Sequence, residues 1–428
     1  MGSYSHAPAG KLQDLPLKSF RVKPAGHGAS ALGRMSALLR VFGPAWLVMI
    51  ADVDVASIIT GLQSGSSWGY RMVFVMLVLT VPLFLIQDAA GRLGAAGGMG
   101  LGKAILNKHG KRVAAVASIP MAVSDFLEYV AEFAGIAIGF TLLHLPVIPG
   151  LLAVFALHAF VVIGRQYREA EVVLIPVSFV LLGAIVASGL VFPIDIPRFV
   201  STGLSPLQPY TESGFSYLMA ASIGAVIMPW MLYFQSGATS RKNLGTEHVG
   251  SIRTETLLGA LVSEIMMSII VIDGTRIASA GGFISVSGIS SAIAALGEAA
   301  PLLMGIGFVA AGFLSLVVVS LGSAWGVLDG LGLKSQSSFV TLYLTESIPA
   351  LFVVMLVADY IQLLLNLMVI YTIVVIPSIY FLGRAVSDRK LMRETSYSRA
   401  QMTVFWTASC LVVAGGLLGV AALLEGMV

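Results

Sequence analysis

Long apolar runs dominate the hydrophobic and polar pattern of this chain. Runs of about 17 to 25 residues alternate with short charged or Gly/Pro-rich breaks, and a helix of about 20 apolar residues can cross a bilayer. The pattern predicts eleven membrane-spanning helices, at residues 42–66, 70–93, 113–143, 146–164, 169–192, 213–239, 252–275, 300–331, 340–358, 360–383 and 401–424. The chain is therefore predicted to be an all-α integral membrane protein.

Composition agrees with that prediction. The chain of 428 residues is 57% hydrophobic and 11% charged, whereas soluble domains carry about 25% charged residues. Its single cysteine, Cys410, falls in the last predicted span, which excludes an internal disulfide and a cysteine-based metal cluster. The polar first 40 residues lack the apolar core of a signal peptide, and we expect them to form a cytoplasmic tail.

The basic residues predict the orientation of the spans. If the N-terminus is cytoplasmic, all 25 Lys and Arg residues except Arg71, Arg198 and Arg276 fall on the cytoplasmic side. An excess of basic residues in cytoplasmic loops is the usual rule for membrane proteins. We therefore expect a multi-pass protein of the cell membrane with its C-terminus outside.

A Pro- and Ser-rich segment, 193–212, is expected to be an external linker between two halves. Residues 41–192 would hold spans 1 to 5 and residues 213–384 spans 6 to 10, preceded by the tail 1–40 and followed by span 11 and the C-terminus in 385–428. Inverted repeats of five spans are typical of secondary transporters, whose substrate sites lie at discontinuous helices. We therefore expect spans 1 and 6 to be interrupted.

Candidate interruptions occur in both spans. Asp52 and Asp54 lie within the first, and a carboxylate at bilayer depth costs about 2.5 to 3.5 kcal/mol, so it usually faces a polar cavity. Pro229 lies within the sixth and frees a carbonyl near Ala225. Simpler interpretations are a helix cap at Asp54 with Asp52 facing water, and an ordinary proline kink. The two interruptions taken together favour a cation site between the first and sixth spans.

The third span carries a stripe of acids. Asp125, Glu128 and Glu132 follow the spacing i, i+3, i+7, which places them on one helical face. Such a stripe predicts an aqueous pathway for cations. Asp125 or Glu128 could instead pair with a basic loop residue, and Glu264, in the seventh span, could line a vestibule.

At both interruptions the sequence resembles the Nramp divalent-metal transporter family. The first-helix elements of that family, Gly-Pro-Ala, Asp-Pro-Gly-Asn and Gly-Tyr, correspond to residues 43–45, 54–57 and 69–70, and its sixth-helix Met-Pro-His-Asn-Leu-Tyr-Leu-His-Ser corresponds to 228–236. Residues 90–94 and 131–135 add further likeness. The resemblance covers about 41–424 and implies a LeuT-type inverted repeat with discontinuous helices 1 and 6 and one extra C-terminal helix.

The resemblance also implies a set of metal ligands. In the family the first-helix Asp, the Asn three residues later, a sixth-helix carbonyl and a Met sulfur hold the ion. Carried over by position, these are Asp54, Ser57, Ala225 and Met228. Asp52, where the family usually has an uncharged residue, is expected to be an outer partner of the ion.

Other matched positions depart from the family pattern. Trp230 and Gln235 stand where the sixth-helix histidines are expected, and Tyr129 stands where a third-helix Asp precedes the matched Glu132. We expect Trp230, Tyr233 and Gln235 to line the ion pathway together with the acids of the third span. Without a histidine in the sixth span, few groups titrate near neutral pH, and uptake is expected not to be coupled to protons.

These departures from the family pattern suggest which ion is transported. A sulfur with an amide oxygen favours Mn²⁺, Fe²⁺ and similar ions, whereas Mg²⁺ keeps several waters and needs one or two carboxylates. Replacing the Asn by Ser57 and adding Asp52 therefore fits a partly hydrated ion. The pattern resembles the prokaryotic Nramp-related magnesium transporters, which implies Mg²⁺ import by alternating access, with Mn²⁺ as a second substrate because Met228 is retained.

Two alternatives differ from this hypothesis. One is a proton-coupled Mn²⁺/Fe²⁺ symporter of the same fold. The other is an integral membrane enzyme or sensor, which is disfavoured because the sequence shows neither a catalytic constellation nor a soluble effector domain. We therefore expect a monomeric transporter that is not an enzyme, has no cofactor and no nucleic-acid partner, and interacts with the lipid bilayer and its divalent cation substrate.

Overall fold

The structure, a computed structural model, describes residues 42–164, 167–191, 194–277, 297–356 and 361–425, with Gly288, Ser291 and Ile293. The predicted tail, 1–40, lies outside these residues. The main helices are α1 (Pro44–Ala51), α2 (Val55–Trp68), α3 (Arg71–Ala96), α4 (Leu101–His109), α5 (Lys111–Leu142), α6 (Val147–Gly164), α7 (Tyr167–Val191), α8 (Ser213–Val226), α9 (Pro229–Arg241), α10 (Val249–Ile277), α11 (Ala299–Leu331), α12 (Gln336–Leu356), α13 (Ile361–Val386) and α14 (Arg399–Leu424).

These helices account for the eleven predicted spans. Within the described part of the chain, nine helical segments are long and apolar enough to cross a membrane, and the bent pair of α1 and α2 makes a tenth. The apolar helix α6, of 18 residues, corresponds to the remaining one. The all-α membrane fold is confirmed.

The first span is interrupted at Asp54. Its backbone there is extended, with φ −84° and ψ −177°, and its Oδ1 accepts a hydrogen bond from the Ser57 amide at 2.7 Å. A side chain that accepts from the N3 amide is a favourable helix cap, so a new helix, α2, begins after Asp54. The axes of α1 and α2 differ by 48°, as expected for a discontinuous helix.

The sixth span is interrupted by Pro229. Proline has no N–H and cannot donate to the carbonyl four residues earlier, which here belongs to Ala225. Helix α8 therefore ends at Val226, and α9 begins at Pro229. The Ser57 hydroxyl donates to the Ala225 carbonyl at 3.2 Å instead. One hydrogen bond thus joins the two interruptions.

Small residues allow helices to pack closely around the interruptions. A Cβ added at Gly135 of α5 would overlap the side chain of Val55, and one added at Gly312 of α11 would lie 2.6 Å from Ile136 Cγ1. Close approach through small residues is the usual way in which membrane helices associate. This packing holds the acidic face of α5 against the first interruption.

Two connecting regions complete the fold. Helix α4 was not predicted, because its 9 residues are too few for a span; its Leu101 amide donates to Ser236 Oγ at 2.9 Å and attaches it to α9. The predicted linker falls between α7 and α8 and contains short turns at Ile196–Arg198 and Phe199–Gly203. The division of the chain into two repeats stays a prediction.

The contact between α8 and α13 gives a test of this packing. A Cβ at Gly224 would overlap the backbone carbonyl of Met368, and overpacking of this kind typically costs about 1 to 3 kcal/mol. We expect Gly224→Ala to lower the melting temperature of the purified protein in detergent. Gly183→Ala is the control, since a Cβ there meets nothing within 4 Å. Equal melting temperatures for both variants would contradict the packing described here.

Candidate metal site

Three carboxylates from α2 and α5 meet at the interruption of the first span. Asp54, Glu128 and Glu132 are fully buried, and each offers an oxygen within 4.8 Å of the others. Within the described chain, none of them forms an ion pair with Lys, Arg or His. Buried charge without a partner is costly, so this group needs a cation or protons to balance it.

Asp54 has two roles, one for each oxygen. Its Oδ1 caps α2 through the Ser57 amide, whereas its Oδ2 is buried and has no hydrogen-bond partner among the described residues. The simpler interpretation of Asp54 as a cap is therefore correct for one oxygen only. The other oxygen is available to a ligand.

The remaining proposed ligands lie at the two interruptions. Ser57 and Ala225 are joined by the 3.2 Å hydrogen bond between hydroxyl and carbonyl. Met228 precedes α9 as its N-cap residue, with a fully buried side chain. Carboxylate, hydroxyl and carbonyl oxygens are the donors that hard cations prefer, and the Met228 thioether is the one soft donor in this set.

Asp52 lies beside this group and is not a member of it. It is the C-cap residue of α1, it is buried, and neither of its oxygens has a hydrogen-bond partner in the described part of the chain. It is within electrostatic reach of Glu264 of α10 and of Asp54. Asp52 and Glu264 thus add further buried acidic groups near Asp54.

Asp125 extends the acidic face of α5 by one turn. The Tyr371 hydroxyl of α13 lies 3.5 Å from Asp125 Oδ1 and donates to the Ser124 carbonyl at 3.3 Å. No Lys or Arg among the described residues pairs with Asp125 or Glu128. The simpler interpretation of these two acids as partners of basic loop residues therefore has no support here.

The side chains that follow Pro229 face different neighbours. The Tyr233 hydroxyl donates to the Ala117 carbonyl of α5 at 3.3 Å. Gln235 donates to Thr256 Oγ1 of α10 at 3.0 Å, so its amide contacts α10. Trp230 is fully buried, and its Nε1 has no partner among the described residues.

Sequence reasoning missed two contributors to this region. Glu346 of α12 is buried, accepts a hydrogen bond from Ser323 Oγ at 3.2 Å and lies within electrostatic reach of Asp125. An acid inside a predicted span is the signal that could have found it. Ser315 of α11 donates to the Ala51 carbonyl at 2.7 Å and holds the end of α1, and a lone serine in an apolar helix gives no such signal.

Discontinuous first and sixth spans, with buried carboxylates at the first interruption, define a membrane protein of the LeuT-type fold. The crystal structure of a manganese transporter from Eremococcus coleocola superposes with a TM-score of 0.79 and 18% sequence identity, covering 96% of this chain and 91% of that chain. At this identity, the likeness shows the fold alone.

The chain belongs to the Nramp family. The family model described as "Natural resistance-associated macrophage protein-like" matches residues 45–422. The divalent metal cation transporter MntH of Agrobacterium fabrum is 30% identical over 294 residues, which is 67% of this chain and 61% of that protein. MntH of Bacillus subtilis is 29% identical over 210 residues, 49% of each chain. The matches thus span about half to three-fifths of these relatives, which are named as transporters and not as enzymes.

Asp54→Asn separates helix capping from metal binding. Asparagine caps helices as well as aspartate, but it removes the negative charge. We expect the variant to keep its melting temperature and to bind Mn²⁺ at least about thirtyfold more weakly, which corresponds to about 2 kcal/mol. Calorimetric titration of the purified protein measures the affinity.

Asp195→Asn is the matched control for this experiment. Asp195 also caps a short helical segment, by accepting from the Arg198 amide at 3.1 Å, and it is exposed. Its substitution should leave Mn²⁺ affinity unchanged. Wild-type affinity in Asp54→Asn would mean that Asp54 is a cap and not a ligand.

Proposed function

We propose that this chain carries divalent metal cations across the cell membrane by alternating access, with its N-terminus in the cytoplasm and without acting as an enzyme. The observation that carries the proposal is the group of three buried carboxylates, Asp54, Glu128 and Glu132, within 4.8 Å of one another. Intramembrane acids of this kind mark ion pathways. Their position beside two interrupted helices matches the usual place of a substrate site in such folds.

The family relatives support Mn²⁺ as a transported ion. Relatives carry the name divalent metal cation transporter MntH, and the structural neighbour is a manganese transporter. These names favour the Mn²⁺ alternative over the Mg²⁺ importer expected from the sequence. Retention of Met228, a soft donor, agrees with that choice.

Mg²⁺ is the second candidate for the same site. Three carboxylates and the oxygens of Ser57 and Ala225 make the proposed donor set mostly hard, and Mg²⁺ binds through few carboxylates while it keeps several waters. Uptake of Mg²⁺ into vesicles, followed with an internal Mg²⁺ dye, would support this candidate. Mn²⁺ uptake that a large excess of Mg²⁺ does not reduce would exclude Mg²⁺ from the site.

The charge of the carboxylate group bears on proton coupling. A dication balances two negative charges, and a proton on the third carboxylate would balance the last one. Because three adjacent anions in apolar surroundings repel one another, we propose that a proton moves together with the metal. This differs from the uncoupled uptake expected from the missing histidines, and the two versions give opposite results in one assay.

We expect Mn²⁺ entry into proteoliposomes to acidify the lumen. The purified chain is reconstituted with a Mn²⁺-quenched dye and a pH dye inside the vesicles. At least one of the variants Glu128→Gln and Glu132→Gln should continue to take up Mn²⁺ while acidification falls several-fold, because glutamine fills the same space without binding the proton.

Glu247→Gln, at an exposed glutamate in the short turn before α10, is the control and should behave as wild type. Mn²⁺ entry without acidification in the wild type would support the uncoupled version. If neither Mn²⁺ nor Mg²⁺ enters faster than in protein-free vesicles, the proposed transport function is wrong.

A further inference from the structure

A cavity of about 330 Å³ lies between the C-terminal ends of α4 and α13, apart from the candidate metal site. Its basic lining residues are Lys108, His109, Arg384 and Lys390, and its one acidic lining residue is Asp388. By the distribution of Lys and Arg, this end of the bundle is the one predicted to face the cytoplasm. The proposed transport cycle has no use for this cavity.

The cavity carries an excess of positive charge. Lys108 Nζ lies 2.6 Å from Asp388 Oδ2, and this contact holds the pKa of Asp388 below its usual range. Arg384 and Lys390 are exposed, and neither pairs with a carboxylate within the described chain. Two unpaired cations at the rim of a cavity favour an anionic ligand with several acceptor oxygens, such as a phosphate group.

An apolar surface adjoins the basic rim. The ring of Phe381, which lines the cavity, lies 5.1 Å from the His109 ring and 5.2 Å from the Tyr380 ring. Tyr380 is 50% exposed and packs on Trp406 of α14. Half-exposed aromatic residues at the end of a span are typical of the membrane–water interface. The exposed Tyr380 ring, in contact with Phe381, thus gives the cavity an apolar edge on α13.

We propose that this cavity binds the headgroup of an anionic phospholipid. Arg384 and Lys390 would bind the phosphate, Phe381 would contact the glycerol region, and the acyl chains would lie along the exposed ring of Tyr380. Basic pockets between spans on the cytoplasmic side suit such headgroups. A soluble phosphate would use the cations but not the apolar wall, and this difference favours the lipid.

A second basic cavity of the same bundle provides a matched comparison. It measures about 310 Å³ and includes Lys103, Arg241, Lys334 and Asp329 in its lining. There Arg241 lies 3.2 Å from Asp329 and 4.3 Å from the centre of the Trp325 ring. Phe381, which lines the first cavity and contacts the exposed Tyr380, is not among the lining residues of the second. Removing two lysines here removes as much charge as removing Arg384 and Lys390.

The test measures lipid binding to the full chain, purified in a neutral detergent. Native mass spectrometry counts bound lipid, and the melting temperature is recorded with phosphatidylglycerol, phosphatidylcholine or inorganic phosphate added. We expect phosphatidylglycerol to bind the wild type most tightly and to stabilise it most. The double variant Arg384→Gln with Lys390→Gln should bind this lipid at least about tenfold more weakly. Lys103→Gln with Lys334→Gln should retain wild-type binding.

Three results would overturn the proposal. Equal stabilisation by inorganic phosphate would mean that the cavity takes a soluble anion. An equal loss of phosphatidylglycerol binding in both double variants would mean that the lipid is attracted to surface charge in general. Equally tight binding of phosphatidylcholine would mean that the protein does not select for headgroup charge. Should the first double variant not purify as a monodisperse protein, Arg384→Gln alone gives the same comparison against Lys334→Gln.

Discussion

The cost of burying negative charge between membrane helices is the constraint on which the rest of this structure depends. Asp54, Glu128 and Glu132 are withdrawn from water and within 4.8 Å of one another, and such a group is stable only when cations or protons balance it. The group therefore favours states in which a cation, protons or both are bound. This preference agrees with the proposed transport of cations, because the group is least stable when it is buried without them.

The two helix interruptions connect the buried carboxylates to the sixth span. Pro229 removes one backbone donor from the sixth span, and the Ser57 hydroxyl takes its place on the Ala225 carbonyl. The same serine offers its amide to Asp54, so one residue connects the cap of α2, the carboxylate and the opposite half-helix. A movement of α8 relative to α2 would change this hydrogen bond and the ligands together.

Much of the fold could be predicted from sequence because its causes are local. Apolar length defines the eleven spans, and Pro229 and Asp54 interrupt helices through their own backbone chemistry. Spacing along α5 placed Glu128 and Glu132 on one face, but which way that face turns depends on tertiary packing, in which Gly135 meets Val55. The separation of Asp52 from the three carboxylates and the approach of Glu346 to Asp125 have the same origin. The preferred ion could not be derived, since oxygen donors with one thioether suit more than one dication.

Anomalous X-ray scattering from crystals of the protein grown with Mn²⁺ tests the central claim most directly, because it locates the ion without assuming its ligands. The account predicts one strong Mn²⁺ peak among Asp54, Glu128 and Glu132, with at least one carboxylate oxygen at about 2 to 2.5 Å from the ion. A strong peak elsewhere in the bundle, with these three carboxylates free of metal, would contradict it.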